Sequence, residues 1–178
     1  MNKIFCREKL KIEIHQHPHH QSLNEKLMHD LSKLDFFSHD EYQNFSNIKG
    51  SQFNFVRHQL LMKPKGVTLV ENWAKQIIQN KLMFPGEFRF VSWAARLDRG
   101  QETVEHDHNY YATFAFVYFV NTPKGASPLV FPTSGKKVKA ESGKLVLFPS
   151  SLRHKVPANK CDNRVTIASN ITILEKIV

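Results

Sequence analysis

Apolar residues recur at helical spacing in two segments of the N-terminal half of the chain. In the first segment, Ser22 and Glu25 have the spacing of a capping box, which predicts a helix that begins there. The apolar positions of this helix are Leu23, Leu27, Met28, Leu31 and Leu34. In the second segment, Thr68 and Glu71 form another capping box, and the apolar pattern ends at Asn80. The patterning therefore predicts two amphipathic helices.

After Pro85 and Gly86 the pattern changes to short apolar segments separated by Gly, Pro and Asn. Five strands are predicted there, over residues 88–97, 112–120, 128–131, 144–148 and 164–174. A further strand is predicted over 9–15, and 38–60 is predicted to be an ordered loop with at most a short strand. Short strands at this spacing favour an antiparallel sandwich or barrel over a parallel sheet.

The length of the chain indicates one domain. Its 178 residues are enough for one core of ordinary size, and no internal repeat or low-complexity linker divides them. We therefore predict a single domain over 1–178, in which 1–85 forms a supporting region of helices and a strand, and 86–178 forms the β core.

The charge balance raises the question of an acidic partner. The net charge is +9 and the isoelectric point is about 9.6. The lysines are scattered, apart from Lys136, Lys137 and Lys139, and no nucleic-acid-binding motif accompanies them. We therefore expect no nucleic-acid partner. Solubility and a positive cleft that attracts a small dianion explain the charge.

Cysteine use and hydropathy indicate an intracellular setting. Cys6 and Cys161 are far apart and lack CxxC spacing, which indicates neither a disulfide framework nor a thiolate zinc site. No apolar run reaches the ~18 residues that cross a bilayer, and the N-terminal segment lacks the apolar core of a signal peptide. We expect a cytoplasmic protein with no membrane partner.

Three histidines are the candidates for a metal site. His106 and His108 follow Gly100 in a segment that we expect to be extended. Alternate side chains of a strand share a face, so these two imidazoles would lie together and Asp107 would face away unless a β-bulge turned it inward. His154 is the best candidate for the third ligand. Three imidazoles with open positions suit iron, zinc, nickel or copper alike.

Arg164 opens the last predicted strand, ten residues after His154. Alternation places Arg164, Thr166 and Ala168 on one face. If that face is inward, the buried guanidinium needs an anion, and a carboxylate held in a bidentate manner is the natural partner, with the Thr166 hydroxyl adding a hydrogen bond. If it faces solvent, Arg164 has no such task. Alternation alone does not choose between the two.

These residues belong to a series of motifs that resembles the 2-oxoglutarate- and Fe(II)-dependent oxygenases, in particular the small prolyl-4-hydroxylase-like members found in bacteria and phages. The motifs are SNIKG at 46–50, Trp93 with Gly100 ahead of HDH at 106–108, VYFVNTPKGASPLVF at 117–131, GKLVLFPSSLRH at 143–154 and RVTIASN at 164–170. They span roughly residues 45–170, and their order is far more specific than any single motif.

The resemblance implies a mainly β (α+β) fold. This is a double-stranded β-helix, or cupin-like jelly roll, over 86–178, with the N-terminal helices packed on one sheet. It implies Fe(II) as cofactor and 2-oxoglutarate and O2 as cosubstrates. The implied reaction hydroxylates a C–H bond of a peptide or a small molecule and releases succinate and CO2.

The resemblance also assigns roles to residues. His106 and His154 match iron ligands, and His108 stands where the family has an aspartate or, in this subgroup, a histidine. Arg164 matches the residue that holds the distal carboxylate of 2-oxoglutarate, and Thr166 matches the hydroxyl residue two positions on. The neutral His108 removes one negative charge from the usual set of two histidines and one carboxylate.

Several aromatic residues are further candidates. Tyr118 is predicted to contact the cosubstrate. Trp93 and Phe148 are considered for the same role, although aromatic residues at apolar strand positions more often belong to the core. Tyr110 and Tyr111 flank the expected mouth of the barrel, where they would meet the substrate.

Two alternatives stay open at the level of sequence. The segments 100–108 and 143–154 also resemble the two cupin motifs, so a three-histidine cupin-type dioxygenase is the second candidate. Against it, no acidic residue follows HxH closely, and Ser151 stands where cupins have a glycine. The third candidate is a non-catalytic jelly roll that binds a metal or an anion. Arg164 discriminates among them, because it has a dedicated role only if a dicarboxylate binds.

Overall fold

Two antiparallel sheets and two helices make up the architecture. The computed structural model describes residues 11–38, 46–55, 63–82, 86–110 and 112–174. The helices are α1 (His20–Leu31) and α2 (Lys65–Leu82). The strands are β1 (Glu13–Gln16), β2 (Phe37–Ser38), β3 (Ile48–Lys49), β4 (Ser51–Asn54), β5 (Glu87–Leu97), β6 (Glu102–His106), β7 (Phe114–Asn121), β8 (Leu129–Phe131), β9 (Lys136–Val138), β10 (Lys144–Pro149), β11 (His154–Val156) and β12 (Arg164–Leu174).

The strands are arranged as a double-stranded β-helix, the jelly roll that the sequence analysis predicts. The larger sheet has seven strands in the order β1-β10-β7-β12-β5-β4-β2, and the smaller has five in the order β3-β6-β11-β8-β9. Strands that are distant in sequence lie side by side, as expected for this fold. The last strand, β12, lies between β7 and β5 in the middle of the larger sheet.

Alternation along the strands creates two hydrophobic cores. On β12, Val165, Ile167 and Ile171 face the helices and join one cluster with residues of α1 and α2. A second cluster lies between the sheets and includes Leu97 from the larger sheet and Leu129 from the smaller. The helices thus cover the outer face of the larger sheet, as predicted, and leave its inner face to the interior between the sheets.

The first helix begins earlier than its capping box predicts. α1 begins at His20, and the preceding His19 makes no side-chain capping hydrogen bond. Ser22 lies inside the helix, where its hydroxyl donates to the His19 carbonyl oxygen at 3.3 Å. The capping-box prediction is therefore wrong at the boundary, whereas the apolar face is correct, since Leu27 is fully buried in the helix-side core.

The second helix is also longer than predicted. α2 extends from Lys65 to Leu82, beyond both Thr68 and Asn80. Glu71 does not cap the helix: it is buried against the larger sheet and accepts a hydrogen bond of 2.6 Å from the Ser92 hydroxyl. The capping-box prediction is therefore wrong here, because the Glu71 carboxylate packs against the sheet instead of capping the helix.

The strand predictions are confirmed for the core. β5, β7, β8, β10 and β12 match the five predicted segments, with ends that agree within two residues. The predicted strand over 9–15 corresponds to β1, although residues 9 and 10 lie outside the described part of the chain. Both β3 and β4 lie in the segment expected to be mainly loop. In the described ranges, no helix is long and apolar enough to cross a membrane.

Candidate active site

Adjacent strands of the smaller sheet bring two histidines together. His106 is the last residue of β6, His154 is the first residue of β11, and the two are paired across the antiparallel ladder. Their ring centroids are 4.3 Å apart. His108 completes the group, in which the ligand atoms all lie within 4.8 Å of one another. The structure therefore brings together the three imidazoles that the sequence singled out.

His108 reaches this group from a turn and not from a strand. β6 ends at His106, so Asp107 and His108 lie beyond it. The His108 N–H donates to the Ser150 carbonyl oxygen at 2.8 Å, which holds the turn against the end of β10. The expected shared strand face is thus wrong, even though the imidazoles converge. The Asp107 carboxylate accepts a hydrogen bond from the Asn109 N–H at 3.2 Å and lies outside the histidine group.

Backbone hydrogen bonds determine which imidazole nitrogens are free. Nδ1 of His106 lies 2.8 Å from the Val104 carbonyl oxygen, and Nδ1 of His154 lies 2.9 Å from that of Leu152. A carbonyl oxygen only accepts, so each Nδ1 carries the proton and each Nε2 keeps a lone pair for a metal.

Burial also keeps the three imidazoles uncharged. It lowers the pKa of His106, and it lowers the pKa of His108 to about 4 and that of His154 to about 3. At neutral pH the three rings are therefore in the deprotonated form that binds metal ions.

The three histidines line a cavity, and a buried guanidinium lies on another wall of it. Arg164 is 1% exposed and lines the cavity together with the three histidines. Its Nε donates to the Ser127 carbonyl oxygen at 3.1 Å, and its guanidinium carbon lies 5.3 Å from the centre of the Phe119 ring. Nη2 is buried and has no hydrogen-bond partner among the described residues.

The environment of Arg164 is suited to an anion. Burial lowers its pKa to about 10, so the guanidinium stays charged at neutral pH. A buried charge with an unused N–H donor is costly, and a carboxylate in the cavity would supply the missing partner. Of the two orientations that alternation allows, the structure has the inward one.

Thr166 and Tyr118 differ in where they point. Thr166 is buried and lines the cavity beside Arg164 on β12. Tyr118 faces the helices, and its hydroxyl donates to Asn24 Oδ1 at 2.7 Å. The prediction that Tyr118 contacts the cosubstrate is therefore wrong. Alternation along β7 places its neighbours Val117 and Phe119 on the inner face instead.

The other aromatic candidates also separate. Trp93 lines the cavity, with its ring centroid 6.1 Å from that of His108. Phe148 belongs to the core between the sheets, where it packs 4.8 Å from the His154 ring without lining the cavity. Tyr110 is 90% exposed in the turn after His108, and Tyr111 lies outside the described residues.

Two amide side chains that line the cavity were not among the candidates from the sequence. Gln52 and Asn54 reach it from β4, while Phe53 and Phe55 between and after them pack in the helix-side core. The signal was the period-two alternation of SQFNF, which is typical of a strand with one apolar face. It was hidden because the surrounding segment has no clear period.

Comparison with known proteins adds a family to this geometry. Residues 132–170 match the sequence model of a family described as "Putative 2OG-Fe(II) oxygenase". The match covers the C-terminal part of the β core, and its family is the one that the motifs of the sequence resemble. The matched segment contains His154, Arg164 and Thr166. A search of curated protein sequences finds no significant match.

Solved structures share the fold of this chain over nearly its whole length. One is a viral collagen prolyl hydroxylase from Paramecium Bursaria Chlorella virus-1 in complex with 2-oxoglutarate: the TM-score is 0.67 and the identity 14%, over 90% of this chain and 94% of that one. Another is a Pseudomonas putida prolyl-4-hydroxylase, with a TM-score of 0.65 and 15% identity over 93% and 92% of the two chains. At these identities the likeness shows a common fold.

The residues of the site fit the cofactors of the matched family, which are Fe(II), 2-oxoglutarate and O2. Three neutral imidazole nitrogens form a donor set that suits Fe(II), and the unpartnered Nη2 of Arg164 fits a carboxylate. One feature departs from the usual ligand set. His108 offers an uncharged nitrogen where the usual set has a carboxylate, so three imidazole ligands would neutralise none of the charge of a metal ion.

Proposed function

We propose that this chain is a single-domain oxygenase that hydroxylates a C–H bond of its substrate and releases succinate and CO2. In this proposal His106, His108 and His154 hold Fe(II), while Arg164 and Thr166 hold the distal carboxylate of 2-oxoglutarate. The observation that carries the proposal is the buried, unpartnered Nη2 of Arg164 in the cavity that the three imidazoles share. A dicarboxylate whose other end reaches the metal would supply its partner.

The protein contributes orientation and exclusion of water. When bound, Fe(II) supplies the centre at which O2 and the 2-oxo acid react. The backbone hydrogen bonds at Nδ1 keep the His106 and His154 rings in one orientation, with Nε2 facing the cavity. The Ser127 carbonyl and the Phe119 ring hold the Arg164 guanidinium in place before a ligand arrives. This preorganisation lowers the cost of ordering the cosubstrate.

A peptide is the substrate class that we propose. Among the solved structures with this fold are the viral collagen prolyl hydroxylase described above and a prolyl hydroxylase from Trichoplax adhaerens in complex with a hypoxia inducible factor peptide fragment. The Trichoplax structure has a TM-score of 0.66 and 11% identity over 89% of this chain and 82% of its own. Ser46, Asn47 and Ile48 line the cavity near the edge strand β3, and Tyr110 is exposed beyond the His108 turn, which offers a surface to an extended chain.

The buried Arg164 also weighs against the two alternatives. A three-histidine cupin-type dioxygenase and a module that binds only a metal use the imidazole group but give the guanidinium no partner. A module that binds only an anion uses the guanidinium but gives the three imidazoles no role. Because an unpartnered buried donor is costly, a function that includes a dicarboxylate accounts for more of the site.

Anaerobic titration tests the proposed function. Addition of 2-oxoglutarate to the Fe(II)-loaded protein should produce the visible charge-transfer band of a metal-bound 2-oxo acid, and admission of O2 should yield succinate. Incubation with a library of proline-containing peptides should then give a product heavier by one oxygen atom. The absence of both the band and succinate would rule out the oxygenase. Formation of the band and succinate without any modified peptide would reject only the peptide substrate.

A further inference from the structure

A slot crosses three strands on the inner face of the larger sheet. Thr166 on β12 pairs with Ala95 on β5, and Ala95 pairs with Gln52 on β4. Directly paired residues point to the same side of a sheet, and neighbouring strands lie ~4.8 Å apart. All three side chains line the cavity that also contains Arg164. Ala95 has the smallest side chain of the three, so it leaves a depression between the side chains of Thr166 and Gln52.

Gln52 is a buried amide that faces this slot. It is 8% exposed, and no hydrogen bond of its carboxamide is found among the described residues. Its neighbours Phe53 and Phe55 anchor β4 in the opposite core, so the direction of Gln52 is set by alternation and not by a partner. Gln52 and Arg164 line one cavity, so the carboxamide N–H and the guanidinium N–H are both available to a ligand there.

The position of the slot matches that of an anion held by Arg164. Arg164 precedes Thr166 by two residues on β12, on the same face, and pairs with Leu97. The chain passes close to Leu97 at Gly50, where a Cβ would lie only 2.6 Å from Leu97 Cδ2. A carboxylate above Ala95 therefore lies among the guanidinium, the hydroxyl and the carboxamide. It has two oxygens with about four lone pairs, enough for all these donors.

We propose that Gln52 is a further cosubstrate-binding residue, whose carboxamide N–H donates to the distal carboxylate that Arg164 and Thr166 also hold. This inference rests on the proposed function. It adds a neutral donor from β4 to the charged donor from β12, so the anion is bound from both sides of the slot. It also assigns a role to Ala95, since a larger residue there would fill the place of the carboxylate.

The experiment compares two ligands on Fe(II)-loaded protein under anaerobic conditions. 2-Oxoglutarate has the distal carboxylate, whereas pyruvate has the same 2-oxo acid group without it. Gln52→Leu keeps the size of the side chain and should weaken 2-oxoglutarate binding roughly tenfold to a hundredfold, the usual effect of losing a hydrogen bond to a charged group. Gln52→Glu should weaken it further, because like charges repel. Neither change should alter pyruvate binding more than about threefold, since it lacks the group in question.

Two further variants make the result specific. Gln52→Asn retains the amide on a shorter side chain and should lose less affinity than Gln52→Leu. Asn54→Leu is the matched control, because Asn54 lines the cavity from the same strand but pairs with Trp93, one step away from the slot. It should leave the ratio of the two affinities unchanged. Metal content and melting temperature, measured for each variant, identify any that fails to fold.

The outcomes separate this inference from the proposed function. If the wild-type protein binds no 2-oxoglutarate, the proposed function fails. If the wild-type protein binds it and the folded Gln52 variants bind it equally well, only the role of Gln52 is refuted. A parallel loss of pyruvate and 2-oxoglutarate would also refute it, because that result would mean a general distortion of the cavity.

Discussion

A buried guanidinium with a free N–H donor is the residue-level feature that most restricts the chemistry of this site. Within the described residues the Arg164 side chain donates one hydrogen bond, through Nε, and Nη2 lies in the cavity that the imidazole cluster also lines. Removal of its charge should therefore affect a bound anion far more than the metal ion.

Arg164→Ala should weaken 2-oxoglutarate binding by about a hundredfold or more, because loss of one partner of a buried charge pair costs ~2–5 kcal/mol. Metal content should change little. Arg164→Lys keeps the charge but loses the planar fork, so its affinity should be intermediate. Titration calorimetry with a redox-stable divalent metal, together with metal analysis, measures both quantities. Equal losses of metal and cosubstrate would show that Arg164 is structural.

His108 is the other residue on which the chemistry depends. Its imidazole is uncharged and comes from a turn, so the three imidazoles, as ligands, would leave the full charge of a divalent ion uncompensated. A carboxylate at this position would be attracted to the metal ion, and this difference is measurable without turnover.

His108→Asp should bind Fe(II) about tenfold more tightly than the wild type in the absence of 2-oxoglutarate, because an anionic ligand replaces a neutral one. His108→Ala should bind more weakly than either. Anaerobic competition with a chromophoric chelator gives the dissociation constants, and His29→Asp on the exposed side of α1 controls for general charge effects. If His108→Asp binds as poorly as His108→Ala, an aspartate in this turn does not reach the metal.

Among the elements, the two helices meet at a contact that a glycine makes possible. Gly66 lies in the first turn of α2, and a Cβ at this position would lie 2.8 Å from Leu27 Cδ2 and 2.9 Å from Leu27 Cγ. Leu27 is fully buried on α1 within the helix-side core. Close approach of the helices therefore outweighs the poor helix propensity of glycine.

Gly66→Ala should destabilise the protein by roughly 1 kcal/mol or more, since overpacking costs ~1–3 kcal/mol and the gain in helix propensity is at most ~1 kcal/mol. In a Leu27→Ala background, the added methyl group fills the vacated space, so the same change should become neutral or stabilising. Urea unfolding of the four proteins in a double-mutant cycle gives the coupling. Additive effects would show that this contact does not limit the approach of the helices.

At the scale of the whole molecule, three neutral imidazoles are buried between the two sheets. Their burial makes the free energy of unfolding depend on pH. The pKa of His108 is lowered to about 4 and that of His154 to about 3, from the usual value of 6.5. Between these values the unfolded chain binds protons that the folded chain excludes. Stability must therefore fall as the pH drops through this interval.

The metal-free protein should lose stability on acidification from pH 7 to pH 5, by up to about 1.4 kcal/mol per pH unit for each imidazole that takes up a proton only on unfolding. His154→Gln should flatten this dependence, because it removes one such group. Urea unfolding across this range, after removal of metal with a chelator, measures the slope. An identical slope for wild type and His154→Gln would contradict the linkage.

Sequence alone determined much about this protein. The pattern of apolar residues predicted the five core strands and both helices. The order of the histidines and Arg164 is read directly from the sequence. The resemblance to the oxygenases depended on the same ordered residues.

Tertiary structure decided the directions in which side chains point. Alternation gave Arg164 two possible faces, and only the position of β12 between β7 and β5 turned it inward. The same arrangement of strands places Tyr118 on the side of the helices and Gln52 in the cavity. Glu71 has the spacing of a capping residue, but its carboxylate accepts a hydrogen bond from Ser92 of the larger sheet. Which face of an element is buried depends on the neighbours that cover it, and in a jelly roll those neighbours come from distant parts of the chain.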